Sequence, residues 1–349
     1  MKKTLLLFML SFAINSQAQD LFLTEDCEAL TLGNVGTDLT GNTAGQGNWY
    51  TYTPTTAVPA GTLSDYKVVN DAISNSKVFQ ITGSSGSAGS RYLFQDLSTS
   101  WANRTSGNDI IQVEYDFFTG SGVTTSKNTF RTYIYTYDGT TTVAVAGYYY
   151  DPATLKLSGW AYYDNAGTSG YYTFNLVTGG LTLDANTWYR IGVAYDYNTG
   201  DVTWKDANGL FYGGVTAALT GVDISECDFS VNSGTTATVT NTASNQFLVD
   251  NISITAVSVE SLLGVKQNSI LSNKTAIYPN PTKDIINISN SDALINLIQI
   301  TDLNGRVVKE VKVSDVNETQ VSVSDLAQGV YSMKIVSDKG TIVKKVIKE

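Results

Sequence analysis

Glu114 and Asp116, in the run DIIQVEYDFF, stand two residues apart in a chain of 349 residues. In an extended strand that spacing puts both carboxylates on one face. Two carboxylates facing one cleft are what glycoside hydrolysis requires, about 5–5.5 Å apart for retention of configuration or about 6.5–9.5 Å apart for inversion. Same-face spacing alone does not make such a pair catalytic, and the expectation is a solvated or hydrogen-bonded strand face. The chain has no histidine, which excludes Ser-His-Asp and Cys-His triads, His-ligated zinc and imidazole bases. Its two cysteines cannot build a thiolate zinc site, and the expectation is a protein that is not an enzyme.

The second feature able to do chemistry is aromatic: residues 147–174 read GYYYDPATLKLSGWAYYDNAGTSGYYTF. Strand parity sorts the rings, since alternate side chains face opposite sides of a sheet. In TVAVAGYYY, Val143 and Val145 mark a core face that takes Tyr149 with it and leaves Tyr148 and Tyr150 outside. In TFRTYIYTYD, Phe130 and Ile134 point in, while Arg131, Tyr133, Tyr135 and Tyr137 point out. In YYTFNLV, Tyr172 and Phe174 point in and Tyr171 out; in TWYRIGVAYDY, Ile191, Val193 and Tyr195 point in and Arg190 out. With Trp160 and Tyr162, the outward set forms a Tyr-rich floor carrying two guanidinium groups. Sugar C–H faces pack on such rings, and phenol and guanidinium groups hydrogen-bond their hydroxyls. The alternative is structural, because tyrosine is comfortable half-buried in any sheet.

The elements that must position these residues are strands. Thr, Ser, Gly, Asn, Tyr and Val are abundant, and short alternating apolar runs are separated by turn signals such as DGT, YNTGD and DANG. The expected fold is all-β: an antiparallel two-sheet jelly-roll sandwich over residues 20–257, a linker over 258–275 and a small Ig-like β-sandwich over 276–349. Residues 1–18 have the charged start, apolar run and small-residue end of a signal peptide. No later stretch has the length and apolarity of a transmembrane anchor. Export meets an oxidising environment, where Cys27 and Cys227 either form one bridge or remain two separate buried thiols. From Asp20 to Thr275 there are 23 acidic and 11 basic residues, against nine of each from Ala276 to Glu349. Nucleic acid and anionic membrane are thus poor partners for the larger part.

The pieces YPNPTKDIINIS, IQITDLNGRVV, DLAQGVYSMKI and the ending KKVIKE occur in order over residues 276–349. They resemble the type A sorting domain of the type IX secretion system of the Bacteroidota. That resemblance implies export across the outer membrane, recognition of the tail by the secretion machinery, and a passenger that is secreted or attached to the cell surface. TWYRIGVAYDYNTGDVTWKDANG, with a first strand near TEDCEAL and a last near FLVDNISIT, resembles the concanavalin A-like and laminin-G-like jelly rolls. Laminarinase-like members carry E-x-D-x-x-E or a one-residue-longer form, which Glu114 and Asp116 only begin, since Thr119 and Gly120 hold the positions of the last Glu, and the Gln-Ile-His element of alginate-type lyases cannot exist here. Related jelly rolls hold a structural calcium between first and last strands, for which Glu25, Asp26, Glu28 and Asp250 offer oxygen ligands. The resulting expectation is a non-catalytic protein binding a polysaccharide or glycoconjugate through Arg131, Tyr133, Tyr135, Tyr148, Tyr150, Trp160, Tyr162, Tyr171 and Arg190. The alternatives are an adhesive or structural surface protein with protein partners and, third, a polysaccharide-degrading jelly roll.

Overall fold

The structure is a computed structural model that describes residues 19–349 other than 206–210, 237, 263–274, 291–292, 303–305 and 338–339. The signal-peptide segment and most of the expected linker lie outside the described residues. The chain divides into two units, residues 1–262 and 263–349. The first is a sandwich of a nine-stranded and an eight-stranded antiparallel sheet; the second pairs a three-stranded with a four-stranded sheet.

In the nine-stranded sheet the strands run, from edge to edge, Phe211–Thr216, Asp201–Lys205, Trp188–Asp196, Ile110–Phe118, Gln246–Val257, Ser76–Thr82, Tyr66–Asp71 and Gly33–Asn34, and Asp20–Glu25 also pairs with Gln246–Val257. First and last strands of the unit are thus neighbours, as the sequence suggests. The eight-stranded sheet runs Thr168–Asn175, Lys156–Asn165, Thr142–Asp151, Thr129–Tyr137, Ile224–Asn232, Ser90–Asp96 and Tyr50–Tyr52, with Leu181–Thr182 beside Lys156–Asn165. The hairpins are local, but Ile224–Asn232 inserts between strands that precede it by some ninety residues or more.

The interior is built from rings. Trp49, Trp101, Trp204, Tyr66, Tyr115, Tyr148, Phe79, Phe117, Phe130 and Phe229 are fully buried, and each such side chain removes about 150–250 Å² from water. They pack edge to face, as in Trp49–Phe79 (centroids 5.0 Å apart) and Tyr115–Phe229 (4.9 Å). Two polar atoms pin sheet to sheet through this core. Trp204 Nε1 donates to the Gly147 carbonyl at 2.7 Å, and the Tyr148 hydroxyl reaches the carbonyls of Gly192 and Lys205.

Tyr148 and Tyr150 correct the parity reading: both lie in the core, 1% and 2% exposed, and Tyr149 faces outward. The cause is a bulge between Thr129–Tyr137 and Thr142–Asp151. Ile134 pairs with Ala146 and the next residue, Tyr135, pairs with Ala144, so Val145 is an extra residue. One extra residue reverses the inward and outward sides beyond it. Val145 does face the core, but it no longer predicts Tyr149.

Of the two states open to the cysteines, a bridge or separate buried thiols, the structure has the second. Both are free and wholly buried, Cys27 just after a strand of one sheet and Cys227 on a central strand of the other. Burial pushes both thiols well up, which keeps the reactive thiolate form suppressed.

The first unit extends past Val257. Leu262 is buried, its side chain lies where a Cβ on Gly192 would be at 3.0 Å, its carbonyl accepts from Lys205 Nζ, and Ser261 N donates to Gln112. In the second unit Ile286, Ile288, Ile298, Ile300, Val321, Met333 and Ile335 form a separate core. Its YPNP start is tied to its end: Asn280 accepts from Ile347 N and donates to the Lys345 carbonyl, and Thr282 N donates to the Ile347 carbonyl.

Candidate functional site

The outer face of the eight-stranded sheet carries a row of side chains fixed by strand register. From edge to edge it runs Tyr50, Phe94, Asp228, Tyr133, Gly147, Trp160 and Thr173, each opposite the next. A parallel row on the same face runs Tyr52, Tyr92, Ser230, Arg131, Tyr149 and Ser158. On its other side Asp96, Glu226 and Tyr135 are cross-strand neighbours, while Tyr162 pairs with Tyr171. The face is therefore a continuous aromatic strip with acids near one end and an arginine beside its middle.

Gly147 is what makes the strip continuous. With no side chain there, Tyr133 and Trp160 meet across its strand with centroids 5.0 Å apart, and Tyr171 stacks on Trp160 at 4.8 Å and 14°. At the other end Tyr50 stacks on Phe94 at 5.2 Å, and Tyr52 lies 5.8 Å from Tyr92. Tyr133, Ala144 and Trp160 bury one another against Tyr92, Tyr135 and Tyr149, whereas Tyr171 stands 55% exposed. Arg131 donates to the Tyr133 hydroxyl at 3.2 Å and lies 5.1 Å over the Tyr149 ring. Among the described residues Arg131 makes no ion pair, and its buried Nε has no hydrogen-bond partner.

A groove of about 530 Å³ opens at the acidic end, lined by Thr40, Gly41, Tyr52, Pro54, Tyr92, Phe94, Tyr135, Thr142, Glu226 and Asp228. Asp228 is 5% exposed and its Oδ1 is buried without a hydrogen-bond partner among the described residues. Burial, and then the Glu226 charge, push the Asp228 carboxyl well above its ordinary value. Glu226 is raised in the same direction, by burial and then by Asp96. The phenols of Tyr92, Tyr133 and Tyr135 are raised chiefly by burial, so they stand as neutral donors at physiological pH. Two neighbouring carboxyl groups in such surroundings resist ionising together, which favours one protonated group beside one ionised group.

Of the sequence-derived residues, the structure brings Arg131, Tyr133, Tyr135, Trp160, Tyr162 and Tyr171 onto this face. Arg190 belongs to the other sheet, where Glu114 (3.2 Å) and Asp116 (3.1 Å) hold its guanidinium. Those two carboxylates thus neutralise an arginine on a strand face. Missed from sequence were Glu226, Asp228, Tyr52, Tyr92 and Tyr149. SECDFSVN does carry an E-x-D alternation, but its neighbours are set by sheet order, which the sequence does not display.

The four proposed calcium ligands are engaged with the protein. Glu25 accepts from Cys27 N and Trp49 Nε1, Asp26 from Glu28 N, Glu28 from Lys77 N, and Asp250 from Ser76 and Asn251. Among the described residues no three His, Cys, Asp or Glu are grouped to hold a metal ion. Burial, opposed by the Asn251 and Ser76 hydrogen bonds and reinforced by Asp116, lifts Asp250 to about 7. The folded chain therefore keeps a proton that the unfolded chain releases above about pH 4, so stability is greatest at acid pH and falls as pH rises toward 7. Discounted for screening, the loss is on the order of 2 kcal/mol. Thermal melts at pH 5 and pH 8 should show it, and the difference should shrink in Asp250→Asn.

Residues 276–349 match the family model described as a secretion system C-terminal sorting domain. This tail is a type IX sorting domain, and the protein is routed to the cell surface or the medium. Among the described residues no helix is long and apolar enough to cross a membrane. No curated protein matches the chain. Similar solved structures include the alginate lyase Aly36B, 13% identical, covering 68% of this chain and 98% of that one with a TM-score of 0.46. They also include an endo-β-1,4-glucuronan lyase from the fungus Trichoderma reesei (10%, 67% and 95%, 0.41) and the botulinum neurotoxin serotype C1 binding domain (12%, 92% and 72%, 0.41). At these identities the likeness is one of fold alone. The expectation of a non-catalytic binding module is corrected only this far: several of these chains are polysaccharide lyases, and a likeness at these identities and TM-scores assigns no activity to this chain.

Proposed function

We propose that the passenger exported by this sorting domain cleaves an acidic polysaccharide by β-elimination, with Glu226 and Asp228 as its acid–base pair and Arg131 as the partner of a uronate carboxylate. The observation that carries the reading is one-sidedness. Glu226 and Asp228 are alternate residues of one strand, about 6.6 Å apart along it, and Arg131 lies on the adjoining strand of the same face. Hydrolysis needs an acid and a nucleophile or water on opposite sides of the sugar. Syn elimination needs both proton transfers on one side.

In the proposed step the ionised carboxylate takes the C5 proton of a uronate. The electron pair forms a C4=C5 double bond, the C4–O bond breaks, and the protonated partner of the pair gives its proton to the leaving oxygen. Negative charge developing on the uronate carboxylate is met by the Arg131 guanidinium, which makes no ion pair among the described residues, while the exposed rings of Tyr52 and Tyr171 hold sugars on either side. General acid–base transfer of this kind contributes about 10²–10⁴ in rate.

The test is incubation of the secreted protein with alginate, glucuronan and pectate while ultraviolet absorbance is followed. Absorbance from the new C4=C5 bond supports elimination; reducing ends without it would mean hydrolysis, and neither product would refute the enzyme reading.

A further inference from the structure

We infer, resting on the preceding reading, that the strip takes a linear glycan across the strands with unequal arms, two sugar units on the Tyr50 side of the reacting bond and four on the Tyr171 side. Neighbouring strands are ~4.8 Å apart, about the length of one hexose unit along a chain, so a glycan crossing them meets about one strand per sugar. The acids are not central. Ile224–Asn232, which carries Glu226 and Asp228, has two strands beyond it on one side, Ser90–Asp96 and Tyr50–Tyr52, and four on the other, ending at Thr168–Asn175.

Each arm has its own surface. The short arm is the groove, where Tyr50 on Phe94 and Tyr52 beside Tyr92 form two ring pairs, and Thr40, Gly41 and Pro54 line the groove beyond them. The long arm ends in the exposed platform of Tyr171, which stacks on the buried Trp160, and Trp160 in turn meets the buried Tyr133 across Gly147. Exposure rises outward along it, from 5% at Tyr133 and 6% at Trp160 to 55% at Tyr171. The far unit thus rests on the one ring of the three that is exposed.

The arms predict a product pattern and a length dependence. A mannuronate or glucuronate hexasaccharide labelled at one end should give mainly dimer and tetramer. In full-length Asp228→Asn protein, which retains the platform, affinity for oligomers of two to eight units should climb to about six units and then level. Tyr171→Ala should weaken hexamer binding by roughly tenfold, matching a stacked base or sugar lost from an aromatic face, and leave dimer binding unchanged. Equal trimers, or monomer with pentamer, would overturn the unequal arms while leaving the elimination reading intact. Absence of cleavage with the length dependence and the Tyr171 effect preserved would overturn the elimination reading alone. Affinity that does not depend on length, or an unaltered hexamer affinity in Tyr171→Ala, would overturn the platform.

Discussion

Asp228→Asn is expected to lower turnover of an acidic polysaccharide by at least about 100-fold, the lower bound for removing a positioned acid or base, while stabilising the fold at neutral and alkaline pH. The two effects share one cause. Asp228 is buried, its Oδ1 lacks a hydrogen-bond partner among the described residues, and Glu226 stands beside it. The folded chain holds protons on this pair that the unfolded chain releases above the ordinary carboxylate range. Stability from these groups is present at acid pH and is lost as pH rises through their raised folded values. Asparagine never ionises, so the gain over the parent should be small at pH 4 and grow toward pH 8. Turnover by the parent should peak where the pair holds one proton and decline on both sides, with apparent pKa values belonging to the pair. Loss of activity with no pH-dependent change in melting temperature would separate the two and remove Asp228 from the buried, charge-strained role given to it here.

How much of this was legible beforehand differs between the two units. The sorting domain is read from local motifs, and the contacts explain why: the YPNP corner and the final strand hold each other through Asn280 and Thr282. In the passenger the class of fold follows from alternation and turn chemistry, and the outward places of Arg131, Tyr133 and Tyr171 follow from parity because no bulge intervenes between them and their core markers. The site itself was hidden by two nonlocal facts. Glu226 and Asp228 gain meaning only because their strand inserts between Thr129–Tyr137 and Ser90–Asp96, a placement no periodicity encodes. Arg190, outward by correct parity, belongs to the other sheet. Glu114 and Asp116 drew attention through spacing alone, and spacing cannot tell an acid pair awaiting substrate from one that already holds an arginine.

Tyr148→Ala and Tyr149→Ala, adjacent substitutions in GYYYD, should differ sharply. Tyr148 is in the core, and its hydroxyl links the eight-stranded sheet to carbonyls of Gly192 and Lys205 in the other. Truncation leaves a cavity of nearly a whole ring and strips these carbonyls of a partner, a loss of about 3–5 kcal/mol. Tyr149 lies under Arg131 on the outer face; its truncation costs about 0.5–1 kcal/mol of cation–π attraction and should instead loosen the guanidinium that we propose receives the substrate's carboxylate. The expected results are a lowered denaturation midpoint for Tyr148→Ala, and a near-normal midpoint with raised KM for Tyr149→Ala. Simple alternation from Val143 and Val145 demands the reverse. The pair of midpoints therefore measures which residue the bulge at Val145 turned inward, and with it whether Tyr149 or Tyr148 belongs to the outer face of the sheet.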